Sequence, residues 1–380
     1  MPDRRVLIVG GSPMMSGGEI SLLRAVGHLP ALGWEVRTAL VVPAAGATGA
    51  ALASVGLPPA VFTVERVRSA IAGATAVRGL ARLARDVDVI HANDIRAAFY
   101  CQAAALLARK PWTFHARDLY NDGSHFERSL RFVRPTRVAA VSQPVAARVT
   151  SIFHWSRSHI DIVHSGIDAA AYRASANAGA WRAEFGLEAD TPVVGTVGRL
   201  VAGKGHDDFI RAAARVARSR PDVRFFIVGG ELVDGGVTWG LGAEAARLRS
   251  LATSLGVGEA VVLTGPRDDV ASAMAAFDVA VVASSAEPFG LVALEAMAQG
   301  TAVVGTAAGG IPEIIIDGES GVLVPARSPD ELAAAIEALL ADPARRFRLG
   351  GAGQARVAAV FPPGTEAAGL AGCWARAVGA

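Results

Sequence analysis

What most constrains this chain is its repeated alternation of short β-branched runs with longer stretches of helical spacing. In the first half the strand candidates are Arg5–Gly11, Glu35–Pro43, Ala60–Val64, Val87–Asn93, Trp112–Arg117, Arg137–Ser142 and Ile160–Ser165. Between them lie alanine-, leucine- and arginine-rich segments such as Glu19–Leu32 and Ser69–Arg85. The second half repeats the pattern with Val193–Val197, Phe225–Gly229, Val261–Thr264, Asp278–Ala283, Ala302–Gly305 and Gly321–Val324. Helical spacing there covers Asp207–Arg218, Ala243–Leu255, Leu291–Gln299 and Pro329–Leu340. Strands that are continuously apolar, rather than alternating, are buried on both faces, and the intervening helices supply the cover. The chain is therefore expected to be α/β, with doubly wound parallel sheets.

At roughly 100–200 residues per domain, 380 residues imply two domains. The expected seam is the polar, alanine-rich stretch from about Ala169 to Thr191, after which Pro192 opens a new strand. Residues 1–170 and 171–380 then form one Rossmann-like domain each, with the last helix, about 364–378, able to pack back on the first. Ligands of such folds sit beyond the carboxyl ends of the strands, so the default site is the cleft between the two domains.

Composition removes several classes of protein. A chain that is 52% hydrophobic with a net charge of +2 is not disordered. Mean hydropathy is high, at +0.36, yet no apolar run approaches the ~18 residues a membrane-spanning helix needs. The opening MPDRRVLIVGG reads as a strand meeting glycines rather than a leader peptide, which predicts a cytoplasmic protein. Cys101 and Cys373 make neither a disulfide framework nor a metal cluster. Nucleic acid is a poor partner, since aromatics are few and no binding module is present. Charge is uneven: residues 1–170 hold 19 Lys+Arg against 12 Asp+Glu, and the remainder 18 against 23. Different partners for the two halves follow.

Two segments carry the chemistry. In VVGTVGRLVAGKGHDDFI, residues 193–210, a strand runs into Gly198, Arg199, Gly203, Lys204 and Gly205 before a helix. Glycines let backbone amides approach an anion, the helix N-terminus adds partial positive charge, and Arg199 and Lys204 add two full charges. Only two lysines occur in the chain, Lys110 and Lys204. The loop reads as a diphosphate site, against the plainer alternative of a basic surface turn. It is not a P-loop, because Gly205 stands where a magnesium-holding Ser or Thr is needed. In SSAEPFGLVALEAMAQG, residues 284–300, Glu287 lies in a loop, Phe289 and Gly290 precede a helix, and Glu295 lies one turn inside it. Both carboxylates can face one pocket and accept hydrogen bonds from the vicinal hydroxyls of ribose or a hexose. Gly309–Gly310 adds a glycine turn at the same sheet edge. Glu295 could equally be a plain helix-surface residue.

The N-terminal loop holds Gly10, Gly11, Gly17, Gly18 and Glu19 without the dinucleotide fingerprint spacing, which argues against a dehydrogenase. His115 ends a strand and is followed by Arg117, Asp118 and Tyr120. It is either a structural histidine or a polar, proton-handling contact. His91 ends the preceding strand, where Asn93 and Asp94 could simply cap the next helix. Asp86-Val87-Asp88 lies at the start of a strand and reads as solvation of a helix end.

Together, the Gly-Arg-Leu…Lys-Gly loop and the Glu-x7-Glu segment resemble the retaining glycosyltransferases of family 4, which have the GT-B fold. Gly17-Gly18-Glu19, the His115 strand end, the SGID turn at Ser165–Asp168 and the GPRDDV turn at Gly265–Val270 follow in the family's order, so the resemblance covers nearly the whole chain. It implies that Arg199 and Lys204 bind the diphosphate of a nucleotide-sugar, with UDP preferred. It implies that Glu295 holds the ribose and that Glu287 contacts the transferred sugar and stabilises its transition state. Gly198 belongs to the same donor loop, and the amides of Phe289, Gly290 and Leu291 would hold sugar and phosphate. Gly265–Asp269, with Arg267, would lie near the base. Gly17 and Gly18 would lie near phosphates and acceptor, joined by Arg117 and Asp118, and His115 would bond the donor sugar near its anomeric carbon. Where the family often places an acidic residue after this histidine, the chain reads Ala116-Arg117. The implied chemistry is front-face transfer of a hexose-type sugar to an acceptor hydroxyl, with neither cofactor nor metal. Alternatives on the same scaffold are a sugar-nucleotide epimerase and a non-catalytic sugar-nucleotide binder. Donor sugar, acceptor (small molecule, polysaccharide or lipid-linked) and oligomeric state stay open.

One further segment stands out. In FERSLRFVRPTRV, residues 126–138, Arg128, Arg131, Arg134 and Arg137 interleave with Phe126, Leu130, Phe132 and Val133. A basic amphipathic helix of this kind can lie on an anionic bilayer, on the inner face of the membrane. It can also be a solvated helix packed by its apolar face.

Overall fold

The computed structural model describes residues 4–65, 70–120, 128–233 and 238–379. They form two compact units, Met1–Gly166 with Pro363–Ala380, and Ile167–Pro362. The second unit thus begins at Ile167 rather than 171. The stretch from Ala169, expected as a seam, instead folds into the helices Ala169–Ala174 and Ala178–Glu184 of that unit. Both helices are capped from their own sequence, since Asp168 accepts from the Ala171 amide and Asn177 from that of Ala180.

In the first unit seven parallel strands, β1 (Arg4–Gly10), β2 (Trp34–Val42), β3 (Ala60–Thr63), β4 (Val89–Ala92), β5 (Trp112–Ala116), β6 (Arg137–Ala140) and β7 (Ile160–Ile162), run in the order β3-β2-β1-β4-β5-β6-β7. Register is set by pairs such as Ile8 with Thr38 on one side and with His91 on the other. The core on one face joins Val6, Ile8, Leu22, Trp34 and Val89 to Leu370, Cys373 and Trp374 of the last helix, Thr365–Val378. Trp374 meets Trp34 edge-on at 5.2 Å, and its indole N–H donates to His91 Nδ1 at 3.1 Å. The buried indole thereby finds an acceptor instead of stranding a donor.

The second unit repeats the plan with β8 (Val193–Val197), β9 (Arg224–Val228), β12 (Val261–Gly265), β13 (Val279–Val282), β14 (Ala302–Thr306) and β15 (Val322–Val324), ordered β12-β9-β8-β13-β14-β15. The helices His206–Ser219 and Pro329–Ala341 pack Phe209, Ile210, Leu332 and Ile336 against Val194, Phe225, Val281 and Val304. On this sheet Trp181, Phe185, Phe226 and Phe277 form an aromatic cluster.

In each unit the chain winds outward from its first strand, then returns to that strand's other side. The reversal falls between β1 and β4 and between β8 and β13, where open α/β sheets bind ligands.

Three expectations differ from what is observed. Glu19–Leu32 is not one helix: Gly17–Val26 closes at Gly27, and Pro30, which has no N–H to donate, opens a separate turn, Pro30–Leu32. A hairpin, β10 (Glu231–Val233) with β11 (Thr238–Gly240), follows β9 and was hidden by the shortness of its strands. The basic segment is also not a single helix over 126–138. Phe126 and Glu127 lie outside the described residues, only 128–132 is helical, and β6 starts at Arg137. Pro135 explains the stop, since a proline disfavours helical backbone at the residue before it and cannot donate. Asp86 ends a short turn and the Asp88 carboxylate accepts from the Arg5 amide at 2.7 Å, so this pair serves backbone ends. No helix among the described residues is long and apolar enough to cross a membrane.

Candidate functional site

The loops after β8 and β13 meet through a residue without a side chain. Gly205, at φ +74°, caps the helix His206–Ser219, and a Cβ there would stand 2.0 Å from the Ala283 carbonyl oxygen. No larger residue fits without moving backbone. Beside it the Ser285 amide donates to Gly203 O at 2.8 Å. A second glycine acts on the other flank: a Cβ on Gly309 would fall 1.9 Å from Glu287 O, the same carbonyl that accepts from the Gly310 amide. The backbone at Glu287 is therefore fixed from both sides before any ligand arrives.

On this frame Lys204 Nζ donates to Glu287 Oε2 at 2.7 Å, and Ser284 Oγ donates to the same oxygen at 2.9 Å. The Glu287 carboxylate is buried, with 11% of its side chain exposed against 22% for Lys204. Arg199 is exposed in the same loop, after Gly198, whose amide donates to Val228 O. The Arg199 carbonyl receives the ring of buried His206 through Nε2 at 2.9 Å, so Nε2 carries the proton. Burial holds His206 below the usual histidine range, which keeps the ring neutral in this role. Gly290 then caps the helix Leu291–Gln299. The first-turn N–H groups of that helix have no intrahelical acceptor, so they and the dipole favour an anion. Phe289 is buried with its ring 5.8 Å from Phe361, and Glu295 is half-buried one turn in.

Arg267 behaves differently from the other donor-side residues. Just beyond Gly265, at the end of β12, its guanidinium forms bidentate bonds to Glu184 and to Asp269 and lies over the Phe185 ring. These partners push its pKa up and fasten the turn to the helix Ala178–Glu184. Five of the expected donor residues, Gly198, Arg199, Lys204, Glu287 and Gly290, thus share the β8/β13 switch point, whereas Arg267 is engaged elsewhere.

In the first unit, Ser16 donates through its amide and hydroxyl to Glu19, fixing the start of the helix Gly17–Val26. Gly17 is exposed, and a Cβ on Gly18 would come within 3.1 Å of the Arg117 side chain. Arg117 Nη2 donates to Glu366 Oε1 at 2.6 Å and Asn93 Oδ1 at 3.0 Å. Glu366 also accepts from Ser21, which bonds Ser165. Asp118 is exposed. His115 is fully buried on β5, and neither ring nitrogen has a hydrogen-bond partner among the described residues. Burial and the Arg117 charge hold it well below the usual range. Asp94 caps the helix Ile95–Ala108, accepting from Arg96 and Ala97, and also takes the Gly11 amide. Among the described residues, no three His, Cys, Asp or Glu side chains gather to hold a metal ion.

The motifs did not reveal His206, Ser284 or Glu366. His206 could have been flagged by its place directly after Lys204-Gly205. Glu366 carried no signal, because only folding brings it to Arg117.

Two parallel sheets that each reverse beside their first strand, the second beside a glycine-held cationic loop, make the chain an α/β protein of two Rossmann-like units. Two family models then match in succession: Glycosyltransferase Family 4 over residues 15–171 and Glycosyl transferases group 1 over 177–356. The chain belongs to this glycosyltransferase family. A D-inositol 3-phosphate glycosyltransferase of Mycobacteroides abscessus is 39% identical over 206 residues, 54% of this chain and 44% of that protein. Its counterpart in Segniliparus rotundus is 37% identical over 221 residues, 58% of this chain and 47% of that protein. The chain thus spans about half the length of the curated relatives it matches. Anabaena Alr3699/HepE, solved in complex with UDP-glucose, superposes with a TM-score of 0.83 at 25% identity, covering 98% of this chain and 100% of that one.

Proposed function

We propose that the chain is a retaining glycosyltransferase that moves a hexose-type sugar from a UDP-sugar to an acceptor hydroxyl. The observation that carries this reading is the Lys204–Glu287 pair, held between two glycine-packed loops at the β8/β13 switch point beside exposed Arg199. Breaking a sugar–diphosphate bond leaves negative charge on the diphosphate and positive character on the sugar. Arg199, Lys204 and the amides at Phe289, Gly290 and Leu291 meet the first, while Glu287 meets the second. In this reading Lys204 exchanges part of its contact with Glu287 for the diphosphate, and Glu295 takes the ribose hydroxyls. The departing phosphate takes the acceptor's proton on the same face, so no separate base and no metal are assigned a step. The HepE complex supports UDP-glucose as the donor to try first. The first unit, with its excess of cations, is assigned the acceptor, with Arg117, Asp118, Gly17 and Gly18 on that side, and His115 is assigned to the donor sugar near its anomeric carbon.

Thermal stabilisation by UDP, GDP and ADP, each with EDTA, is the test, on the wild type and on Lys204→Ala. A nucleotide at ~100 times its dissociation constant should add about 2.7 kcal/mol. A shift for UDP alone that disappears in the variant is the expected result, and no shift with any nucleotide would sink the donor reading. NMR of the product anomer from UDP-glucose then decides retention. Formation of a new sugar nucleotide without acceptor would point to an epimerase instead.

A further inference from the structure

We propose that the first unit docks on an anionic lipid bilayer through a patch formed by the end of the helix Ile95–Ala108 and the turn Leu130–Phe132. Leu106, Leu107 and Phe132 are 75%, 64% and 70% exposed, far more than apolar side chains of that size usually are in a packed α/β unit. They belong to one surface because Gln102, one turn before Leu106, is bonded on both sides of the turn. Its Nε2 donates to Phe132 O at 3.3 Å, and its Oε1 accepts from the Arg134 amide at 2.5 Å. Trp112 Nε1 donates to Arg134 O at 3.1 Å, which locks the turn to β5. The turn is therefore tied to the helix by Gln102 and to β5 by Trp112, with its apolar tips left outside.

Charge decides what could cover it. Residues 95–117 and 128–160 contain no Asp or Glu, while nine arginines and Lys110 fall there. Arg109 and Lys110 follow Leu106–Leu107 at the helix end, and exposed Arg131 and Arg134 flank Phe132, with Arg131 over its ring at 5.6 Å. Three large apolar groups ringed by cations match an interface of anionic headgroups over acyl chains, where the rings and leucines enter and the cations stay at headgroup depth. An apolar protein partner or a second copy gives no reason for a one-signed rim. The proposal is independent of the donor-site reading, and it replaces an amphipathic helix over 126–138 with a patch built from two elements.

Flotation of the full chain with phosphatidylglycerol/phosphatidylcholine vesicles tests it, against vesicles of phosphatidylcholine alone. Wild type should float only with the anionic vesicles, and much less in roughly 1 M salt, where the screening length is about 3 Å. Leu106→Ser/Leu107→Ser/Phe132→Ser should lower partitioning at least about tenfold. Arg109→Ala/Lys110→Ala/Arg131→Ala should lower it about fivefold per cation at low salt. Phe347→Ser serves as the control for exposed apolar surface, since Phe347 is 76% exposed on the second unit, and it should float like wild type. All variants should keep the wild-type melting temperature. Failure of wild type to float, equal flotation with neutral vesicles, or unchanged flotation of the apolar variant would each overturn the proposal. A wild-type dimer that the apolar variant disperses, without vesicle binding, would assign the patch to a second copy instead.

Discussion

Beside β8 and β13 a lysine and a glutamate meet at the rim of two loops, while beyond β5 an arginine meets a glutamate in the first turn of the last helix. The exposures separate the two pairs: 22% and 11% for the side chains of Lys204 and Glu287, against 11% and 2% for Arg117 and Glu366. Their neighbours differ as well. Among the described residues Lys204 has one charged partner, Glu287, whereas Glu366 collects Arg117 and Ser21, and Arg117 reaches on to Asn93. A buried pair is a fastener, and breaking it strands a charge; a rim pair with one partner can exchange that partner for a ligand. The two sheets share a winding order, so this difference lies in the side chains placed on equivalent frames.

Removing one partner of the buried pair should have the largest effect. Glu366→Ala leaves the Arg117 guanidinium, among the described residues, with its hydrogen bond to Asn93 and the more distant charge of Glu19, and should cost about 3–5 kcal/mol of stability. The double replacement Arg117→Met/Glu366→Leu should recover most of that loss, because no charge is then left inside. Chemical unfolding of the singles and the double closes the cycle; a double variant as damaged as the sum of the singles would show that the pair is no fastener. Lys204→Ala should behave in the opposite way, with a smaller stability cost and a loss of roughly 10²–10³ in transfer rate, the usual scale for removing one preorganised donor to developing charge. Release of UDP from UDP-glucose measures it. A variant that keeps its rate but melts early would make Lys204 structural and erase the contrast.

Acid should find the first unit more readily than the second. His91 is held at about 3, largely by burial, and His115 well below its ordinary value, whereas the second unit has only His206 lowered among the described residues. Each ring is neutral in the fold but free to charge at about 6.5 once unfolded. The unfolded state then binds more protons. Stability is therefore complete above pH ~6.5 and falls by up to about 1.4 kcal/mol per pH unit per histidine below it, until the folded pKa is reached. His91→Asn should reduce the loss between pH 7 and pH 5 by about 2 kcal/mol. Urea midpoints at the two pH values decide it: an equal loss in both proteins would mean that His91 does not titrate on unfolding as described.

Much of this is legible in the sequence itself. Continuous apolar runs mark all thirteen strands of the two parallel sheets to within a few residues and miss only the short hairpin strands β10 and β11 among the described residues, while Gly290 and Leu291–Gln299 lie where the sequence places them. The segment around Gly203–Gly205 was readable because a strand, glycines, two cations and a helix start are all local features. Arg267 was less so: its partner Glu184 lies 83 residues away, and nothing local marks a cation as already bound. Glu366 is the extreme case, at 249 residues from Arg117. The 126–138 segment failed for a local reason that was in view, since Pro135 interrupts any helix there, yet charge spacing outweighed it.

The smallest predicted effect tests how the second unit holds its exposed cation. His206 Nε2–H donates to the Arg199 carbonyl across the turn that also contains Lys204, so the ring closes the loop from inside. A neutral hydrogen bond of this kind is worth about 1 kcal/mol, or roughly fivefold in an equilibrium. His206→Phe preserves the buried ring volume but removes the donor, and should weaken UDP binding about fivefold while leaving Glu287 and its partner Ser284 in place. His206→Gln, which can still donate, should restore part of the loss. Isothermal titration with UDP separates the cases. If Phe and Gln bind alike, the ring acts by filling space. If Phe weakens binding as much as Lys204→Ala does, the loop depends on this bond for its whole conformation, and the glycine contacts at Ala283 do less than their geometry implies.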